Sequence, residues 1–389
     1  MIINEDGELI DGNSKLELED YLNKYYYFRF NEVTSKIYWK EIGNKDFVEL
    51  SEYDINSLLR ILKNENIKCG KSELIQVLTS DFTQKFNPFK EYHDGLNQWD
   101  EQTDFIGELA DTITTTSQQL WRKCFRKWMV ALVGCVLDKD VVNQTAPILC
   151  GGQGIGKTTW VGNLVPNELK EYFYSGSVIT NSKDSITQIS ECILIDMDEL
   201  ENVGKKSIGD LKSLMTRKDI RIRRPYGRVA ENLPRRASFI GSINHKEFLK
   251  DETGSRRFLC FEIVSINNDH GINIADVYAQ ALSLFKTGYR FWFNSEEIQE
   301  VQLNNEQFQE TSLEMELIMR FFEPVPADKA SMFLSSTDIA EFLHEKHGLP
   351  VNNTTVQHIG KALSAKKFIN VTRKDRKVWA VSYKLRKAA

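Results

Sequence analysis

Gly151, Gly152, Gln153, Gly154, Ile155, Gly156, Lys157, Thr158 and Thr159 form one run. In it, glycines bracket a four-residue gap, and a lysine and a hydroxyl follow at once. This is the full spacing of a phosphate-binding loop, Gly-x-x-x-x-Gly-Lys-Thr. The glycines let backbone N–H groups turn inward around phosphate oxygens. Lys157 reaches the β- and γ-phosphates, and the Thr158 hydroxyl ligates Mg²⁺. An apolar strand-like run, Pro147 to Cys150, precedes it and a helical pattern follows, which is the context the motif needs. A glycine-rich turn would supply part of this pattern by chance, but not every fixed position in this setting. The run implies a nucleoside triphosphate ligand: ATP, with Mg²⁺ as its cofactor ion.

Hydrolysis also needs a carboxylate near the metal and a base to orient water. The apolar run "ECILIDMDEL" ends in Asp198 and Glu199. Asp198 is the natural metal-shell acid, and Glu199 beside it the group that polarises the attacking water. Asp196, two residues earlier and so on the same strand face, shares the metal shell, replaces Asp198 as the metal acid, or is a polar strand residue beside the site. A later strand-like run, "RRASFIGSIN", ends in Ser242 and Asn244. A polar amide at that strand tip suits a sensor of the γ-phosphate and lytic water, where an isolated segment would suggest only a turn-forming Asn.

Between the acidic and amide-tipped runs, "IRIRRPYGRVAENL" alternates around a Pro-Tyr-Gly turn, as a hairpin would. It carries Arg221, Arg223, Arg224, Tyr226 and Arg228. Arg224, Tyr226 and Arg228 are the candidate DNA contacts, since arginine binds phosphate and tyrosine stacks on a base. The plain alternative is a hairpin whose arginines pair with acids of a neighbouring subunit. Near the C-terminus, Arg373, Lys374, Arg376 and Lys377 surround Asp375, and Lys361, Lys366 and Lys367 lie in the helical pattern before them. A basic wing beside a helix-turn-helix suits duplex or fork DNA. Protein contact and simple solvated charge are the competing readings.

These residues must be positioned by a chain of 389 residues, long enough for two or three domains. The apolar share of 41% and aromatic share of 11% suffice for packed cores, and the net charge of −5 alone does not suggest a nucleic-acid binder. The charge is uneven, however. Residues 1–20 hold seven acids against Lys15, whereas residues 361–389 hold ten Lys and Arg against Asp375. The six cysteines show no metal spacing and read as reduced core residues, hence a cytoplasmic protein. No signal region and no membrane-length apolar run is present, so a soluble chain with no membrane partner is expected.

The expected divisions are an N-terminal α+β region at 1–85, a helical lead-in at 86–140, an ATPase core at 141–300 and a winged helix at 311–389. In the first, "YYYFRF" and "SKIYWKEI" read as a hairpin about a turn at Asn31–Thr34, and "INSLLRILKNENI" as a helix. "NPFKEYHDGLNQWDE" reads as a loop, and "SQQLWRKCFRKWMVALVGCVL" as a half-buried helix. Alternating strand and helix patterns over 140–265 indicate an α/β sheet. Three helical patterns and a basic hairpin close the chain.

The order of phosphate loop, acidic strand and amide-tipped strand, 41 and 46 residues apart, resembles superfamily 3 helicases. The nearest resemblance is to the virulence-associated protein E family. It is carried by Asp198-Glu199-Leu200, by "PYGR" at 225–228, by "RRASFIGSIN" at 235–244 and by "DETGSRRF" at 251–258, and it is strongest over about 85–265. The resemblance implies an α/β fold with a P-loop NTPase (AAA+/superfamily 3 helicase-like) core, a mixed α+β N-terminal region and a C-terminal winged-helix domain. It further implies a homo-oligomeric, hexameric ring gripping single-stranded DNA in its channel, and 3′→5′ translocation in the replication of a phage or mobile element. No extended primase region precedes the core, so primer synthesis is not carried over. In such rings an arginine from the neighbour completes the site. Arg256 or Arg257 is the expected finger, with the other holding the loop or phosphate geometry, because the twelve residues from Asn244 to Arg256 let a loop cross an interface; Arg235 and Arg236 are the rivals. A nucleotide-controlled DNA-binding switch, a loader and an anti-phage interference protein are the alternatives without processive unwinding.

Overall fold

The computed structural model describes residues 2–3, 9–10, 13–176, 183–198, 200, 205–222, 230–249, 255–309, 312–373 and 375–384. The chain divides into two compact units, Met1–Lys246 with Asp251–Gln307, and Glu247–Lys250 with Phe308–Ala389.

The first unit opens with a two-stranded ladder of β1 (Ile2–Ile3) and β2 (Leu9–Ile10), then helix α1 (Asn13–Tyr25). The expected hairpin forms as β3 (Tyr26–Asn31) and β4 (Ile37–Glu41), paired antiparallel from Tyr26↔Glu41 to Phe30↔Ile37. Strands β5 (Val48–Glu49) and β6 (Gln84–Phe86) complete a sheet of order β5-β4-β3-β6. Strand alternation turns Tyr26 and Phe28 toward one face. They pack there with Leu18 and Leu22 of α1, Leu58 and Leu62 of α2 (Glu52–Asn64), and Leu74 of α3 (Lys71–Leu78). Ser51 and Asp54 form a capping box that starts α2.

The "NPFKEYHD" stretch, expected as a loop, contains helix α4 (Pro88–Asp94). Asn87 accepts hydrogen bonds from the backbone of Phe89 and Lys90, and Pro88 takes the first helical position, where no N–H is needed. Helix α5 (Phe105–Asp111) and strand β7 (Ile113–Thr115) follow. The long helix α6 (Gln118–Leu137) is more deeply buried than its mixed sequence suggests: Trp121, Phe125 and Trp128 are fully enclosed. Even Lys127 is inside, donating to the carbonyls of Arg290 at 2.8 Å and Trp292 at 3.1 Å, with Glu297 at 3.4 Å as its counter-charge.

Helix α6 supports a six-stranded sheet of order β7-β14-β8-β13-β10-β9. Its five parallel strands are β8 (Ala146–Cys150), β9 (Phe173–Gly176), β10 (Leu194–Met197), β13 (Ser238–Ile243) and β14 (Phe258–Ile266); β7 lies antiparallel at one edge. The connections carry α7 (Lys157–Asn163), α8 (Lys183–Glu191), α9 (Lys205–Thr216) and the antiparallel pair β11 (Asp219–Ile222) and β12 (Glu231–Pro234). Helices α10 (Ile274–Lys286) and α11 (Ser295–Asn305) close the unit. The burial of every residue of β8 and β13, on both faces, is what a parallel sheet covered on both sides requires.

The second unit contains helices α12 (Leu313–Phe321), α13 (Ser336–His347) and α14 (Asn353–Ala365), with β15 (Phe322–Pro324), β16 (Met332–Leu334), β17 (Ile369–Arg373) and β18 (Arg376–Tyr383). The expected basic hairpin is β17–β18. Two short strands not apparent in the sequence, β15 and β16, also pair with β18. Ile318, Ile339, Leu343, Ile359, Leu363 and Val381 form this unit's own core. All six cysteines are free thiols, five of them buried and Cys69 half-buried. Among the described residues no helix is long and apolar enough to cross a membrane.

Candidate functional site

The glycine run leaves the end of β8 and turns into α7. The Gly151 N–H donates to the Ile243 carbonyl at 3.0 Å, fixing the run to β13. Gly154 and Gly156 have φ of +82° and +91°, a left-handed backbone that side chains disfavour. At Gly156 space is short as well, because a Cβ there would overlap Nδ2 of Asn268. The loop is therefore specified twice at this position, by conformation and by packing. Gly152, Gln153 and Gly154 are exposed, as are Thr158 and Thr159, whereas Ile155 is half-buried.

Lys157 is buried and its ammonium is held at the loop. Nζ donates to the carbonyls of Gly151 at 2.7 Å and Gly152 at 2.9 Å, and to Oδ1 of Asn244 at 3.1 Å. Asn244 stands one residue past the end of β13, so the amide-tipped strand does reach the lysine. Two residues earlier on the same strand, Ser242 Oγ donates to Oδ1 of Asp198 at 3.0 Å. The insertion of β13 between β8 and β10 makes this possible. One strand end holds the loop lysine through Asn244 and the acidic strand end through Ser242.

Asp196 is completely buried within β10, where it pairs with Ser175 on one side and Ile240 on the other. Its Oδ2 accepts a 3.1 Å bond from Ser175 Oγ, while Oδ1 has no hydrogen-bond partner among the described residues. Burial, with the charge of Asp198 adding to it, pushes its carboxyl up to about 6. Asp198 is half-buried just beyond the strand. Thr158, Asp196 and Asp198 thus offer hard oxygen donors of the kind Mg²⁺ accepts, few enough to leave most of its shell to phosphate and water. Among the described residues no group of three His, Cys, Asp or Glu side chains forms a separate metal cluster. Glu199 lies outside the described residues.

Asn268 also borders a cavity of about 400 Å³, lined by Tyr92, Asn163, Pro166, His270 and Asn273 among others. Neither Asn268 nor the roles of Ser175 and Ser242 was apparent in the sequence. Asn268 follows β14, far along the chain from the glycine run, and only the pairing of β14 with β8 brings it there.

Arg256 and Arg257 form a single 3-10 turn, Ser255–Arg257, immediately before β14. Phe258 pairs with Ala146, the first residue of β8, so both arginines lie at the opposite end of the sheet from the glycine run. The length of β8 separates the two ends, about 16 Å at strand rise. The arginines line a cleft of about 620 Å³ with Lys218, Asn143 and Trp292. The rival pair is accounted for within the fold. Arg235 is fully buried and donates to the carbonyls of Met215 and Asn143, at 2.9 and 2.8 Å, and Arg236 donates to Ser190 O at 2.9 Å.

The arms of the central hairpin are β11 and β12, with Arg221 on β11; Arg223, Arg224, Tyr226 and Arg228 lie outside the described residues, as does Lys374. In the second unit Arg373, Arg376 and Lys377 are exposed at the β17–β18 turn, and the Arg373 guanidinium lies 3.4 Å over the Phe333 ring.

Residues 93–310 match the virulence-associated protein E-like domain. No curated protein matches the chain. Among solved structures, the apo structure of the NrS-1 C-terminal region (305–718) is 13% identical with a TM-score of 0.48, covering 96% of this chain and 100% of that one. The A form apo structure of the same region is 12% identical with a TM-score of 0.46, covering 94% and 98%. At TM-scores below 0.5 these likenesses assign nothing to this chain.

Proposed function

The chain belongs to the virulence-associated protein E-like domain family, and on that premise we propose that it is an ATP-hydrolysing, ring-forming DNA translocase of the superfamily 3 type, acting in replication of a phage or mobile element. The convergence of Lys157, Asn244, Ser242 and Asp198 at the C-terminal ends of the central parallel strands carries this reading. In it, the first unit holds a P-loop ATPase core and the second is a winged helix. The triphosphate lies along the glycine run, with the exposed N–H side of Gly152 to Gly154 and the Lys157 ammonium neutralising its charge. The nucleoside end extends toward the cavity beside Asn268. Thr158 and Asp198, with Asp196 behind them, would hold Mg²⁺, which when bound draws charge from the phosphate oxygens. Asn244 positions the γ-phosphate and water, and Glu199 takes the proton from that water.

Arg256 and Arg257 sit at the wrong end of the sheet to serve their own loop, which favours their use on a neighbouring subunit's γ-phosphate in a ring. Arg224, Tyr226 and Arg228 at the central hairpin would grip one strand in the channel, and Arg373, Lys374, Arg376 and Lys377 would contact duplex or fork. Forked-DNA unwinding by wild type and Glu199→Gln tests the proposal. Hydrolysis and unwinding that are both lost in Glu199→Gln support it. Wild-type hydrolysis without unwinding or translocation makes the protein a switch or loader instead.

A further inference from the structure

The outer face of the N-terminal sheet has a chemical order that the ATPase reading does not use. Rings and cations alternate across it: Phe86, Arg29, Phe47, Lys40, Tyr27. The Arg29 guanidinium lies 4.0 Å from the Phe86 ring centroid and 5.2 Å from that of Phe47. The Lys40 ammonium lies 4.7 Å from Phe47 and 5.8 Å from Tyr27. The register explains the pattern, since Tyr27 faces Lys40 and Arg29 faces Tyr38 across the β3–β4 pair, all on the side away from the Leu58 and Leu62 core.

The two ends of this ladder differ. At the Phe86 end, Arg29 is paired with Glu91, and Tyr38 donates to Glu171 Oε2 at 2.8 Å, so that end is tied into the unit. At the other end Tyr27 is 52% exposed, too open for a ring serving only as packing. Among the described residues Lys40 has no carboxylate partner; its one hydrogen bond is to the Lys45 carbonyl at 3.3 Å. Lys24, over the Tyr25 ring at 5.1 Å, repeats the pairing where β3 begins.

We propose that this face, centred on Tyr27, Lys40 and Phe47, binds single-stranded nucleic acid. Unpaired bases stack on the open rings and the intervening ammonium groups meet the backbone phosphates. A duplex keeps its bases stacked on each other and cannot use the rings. A proline-rich peptide can lie on exposed rings but brings no phosphate to the Lys40 ammonium. Stacking on ring faces does not read base edges, so the binding is sequence-tolerant.

The test uses the full chain without nucleotide, and so stands apart from the ATPase proposal. Anisotropy of a labelled oligothymidylate is titrated with wild type, Tyr27→Ala, Tyr27→Phe and Lys40→Ala, and a 5-iodouracil oligonucleotide is photo-crosslinked and the linked peptide mapped. Tyr27→Ala should weaken binding by about 5- to 150-fold, the loss of one stacked base, while Tyr27→Phe should bind like wild type. Lys40→Ala should weaken binding and reduce the salt slope by about one. The crosslink should fall on Tyr27 or Phe47. Alanine variants that bind as wild type does, or crosslinks confined to other segments, overturn the proposal. So does a proline-rich peptide that binds with dependence on Tyr27 where the oligonucleotide does not.

Discussion

Lys157 and Asn244 are joined by a 3.1 Å hydrogen bond from the ammonium to the amide oxygen, linking a loop after one strand to the tip of its neighbour. The bond sets the lysine's direction, because two loop carbonyls and the amide together fix its three donors. Asn244→Ala removes the side-chain acceptor while sparing the loop. Hydrolysis in that variant should fall by about 10²- to 10³-fold, as for loss of one positioned polar group. ATP binding, measured by a fluorescent analogue, should change far less.

Gly156→Ala tests the double specification of the loop. The left-handed backbone alone costs about 1–3 kcal/mol, and the overlap with Asn268 adds to it. Denaturant unfolding should show a loss of at least that size. Adding Asn268→Ala should recover the packing part but not the backbone part. Full recovery would mean that φ carries no strain.

Asp196 gives a pH signature. Its folded carboxyl titrates near 6, above the unfolded Asp value of about 3.9, so between these pH values the native state holds more protons than the unfolded state. Stability from this group is present at low pH and lost as pH rises from about 4 to about 6. The full swing is of the order of 3 kcal/mol at two pH units. Asp196→Asn should flatten that part of the stability–pH curve and raise stability at pH 8, read by chemical denaturation.

The four arginines divide into two classes with opposite signatures. Arg235→Met strands the buried carbonyls of Met215 and Asn143, and should destabilise the fold by about 2–6 kcal/mol, at about 1–3 for each unsatisfied group. Arg256→Ala with Arg257→Ala should leave the melting temperature near wild type and reduce hydrolysis by about 10³-fold or more. Mixing that double variant with Lys157→Ala subunits should restore hydrolysis, since about a quarter of random head-to-tail interfaces then combine an intact loop with an intact arginine pair. No restoration would place the arginines' action within their own chain.

The glycine spacing was legible because a phosphate loop is written in contiguous residues, and the β3–β4 hairpin because alternation and a short turn are local. The mixed α/β character of the centre was legible for the same reason. Helix α4 was misread: Asn87 and Pro88 look like turn residues, yet in this order they cap and begin a helix. The double arginine at 235–236 read as a rival finger pair, although Arg235 is enclosed by carbonyls that come from α9 and from the loop before β8. Ser175, Asn268 and the bond from Ser242 to Asp198 became visible only through strand order. A sequence does not show that β13 lies between β8 and β10, and that insertion assembles the site. The alternating rings and cations of the N-terminal sheet come from β3, β4, β6 and the β4–β5 turn, so no single stretch announces them.

DNA-stimulated phosphate release by wild type and Lys157→Ala, at matched concentration and with melting curves to verify folding, tests the central claim most directly. Steady turnover by wild type that rises with single-stranded DNA and falls at least about 100-fold in Lys157→Ala is the predicted result. A folded wild type without hydrolysis, or a Lys157→Ala variant that turns over ATP as wild type does, would contradict it.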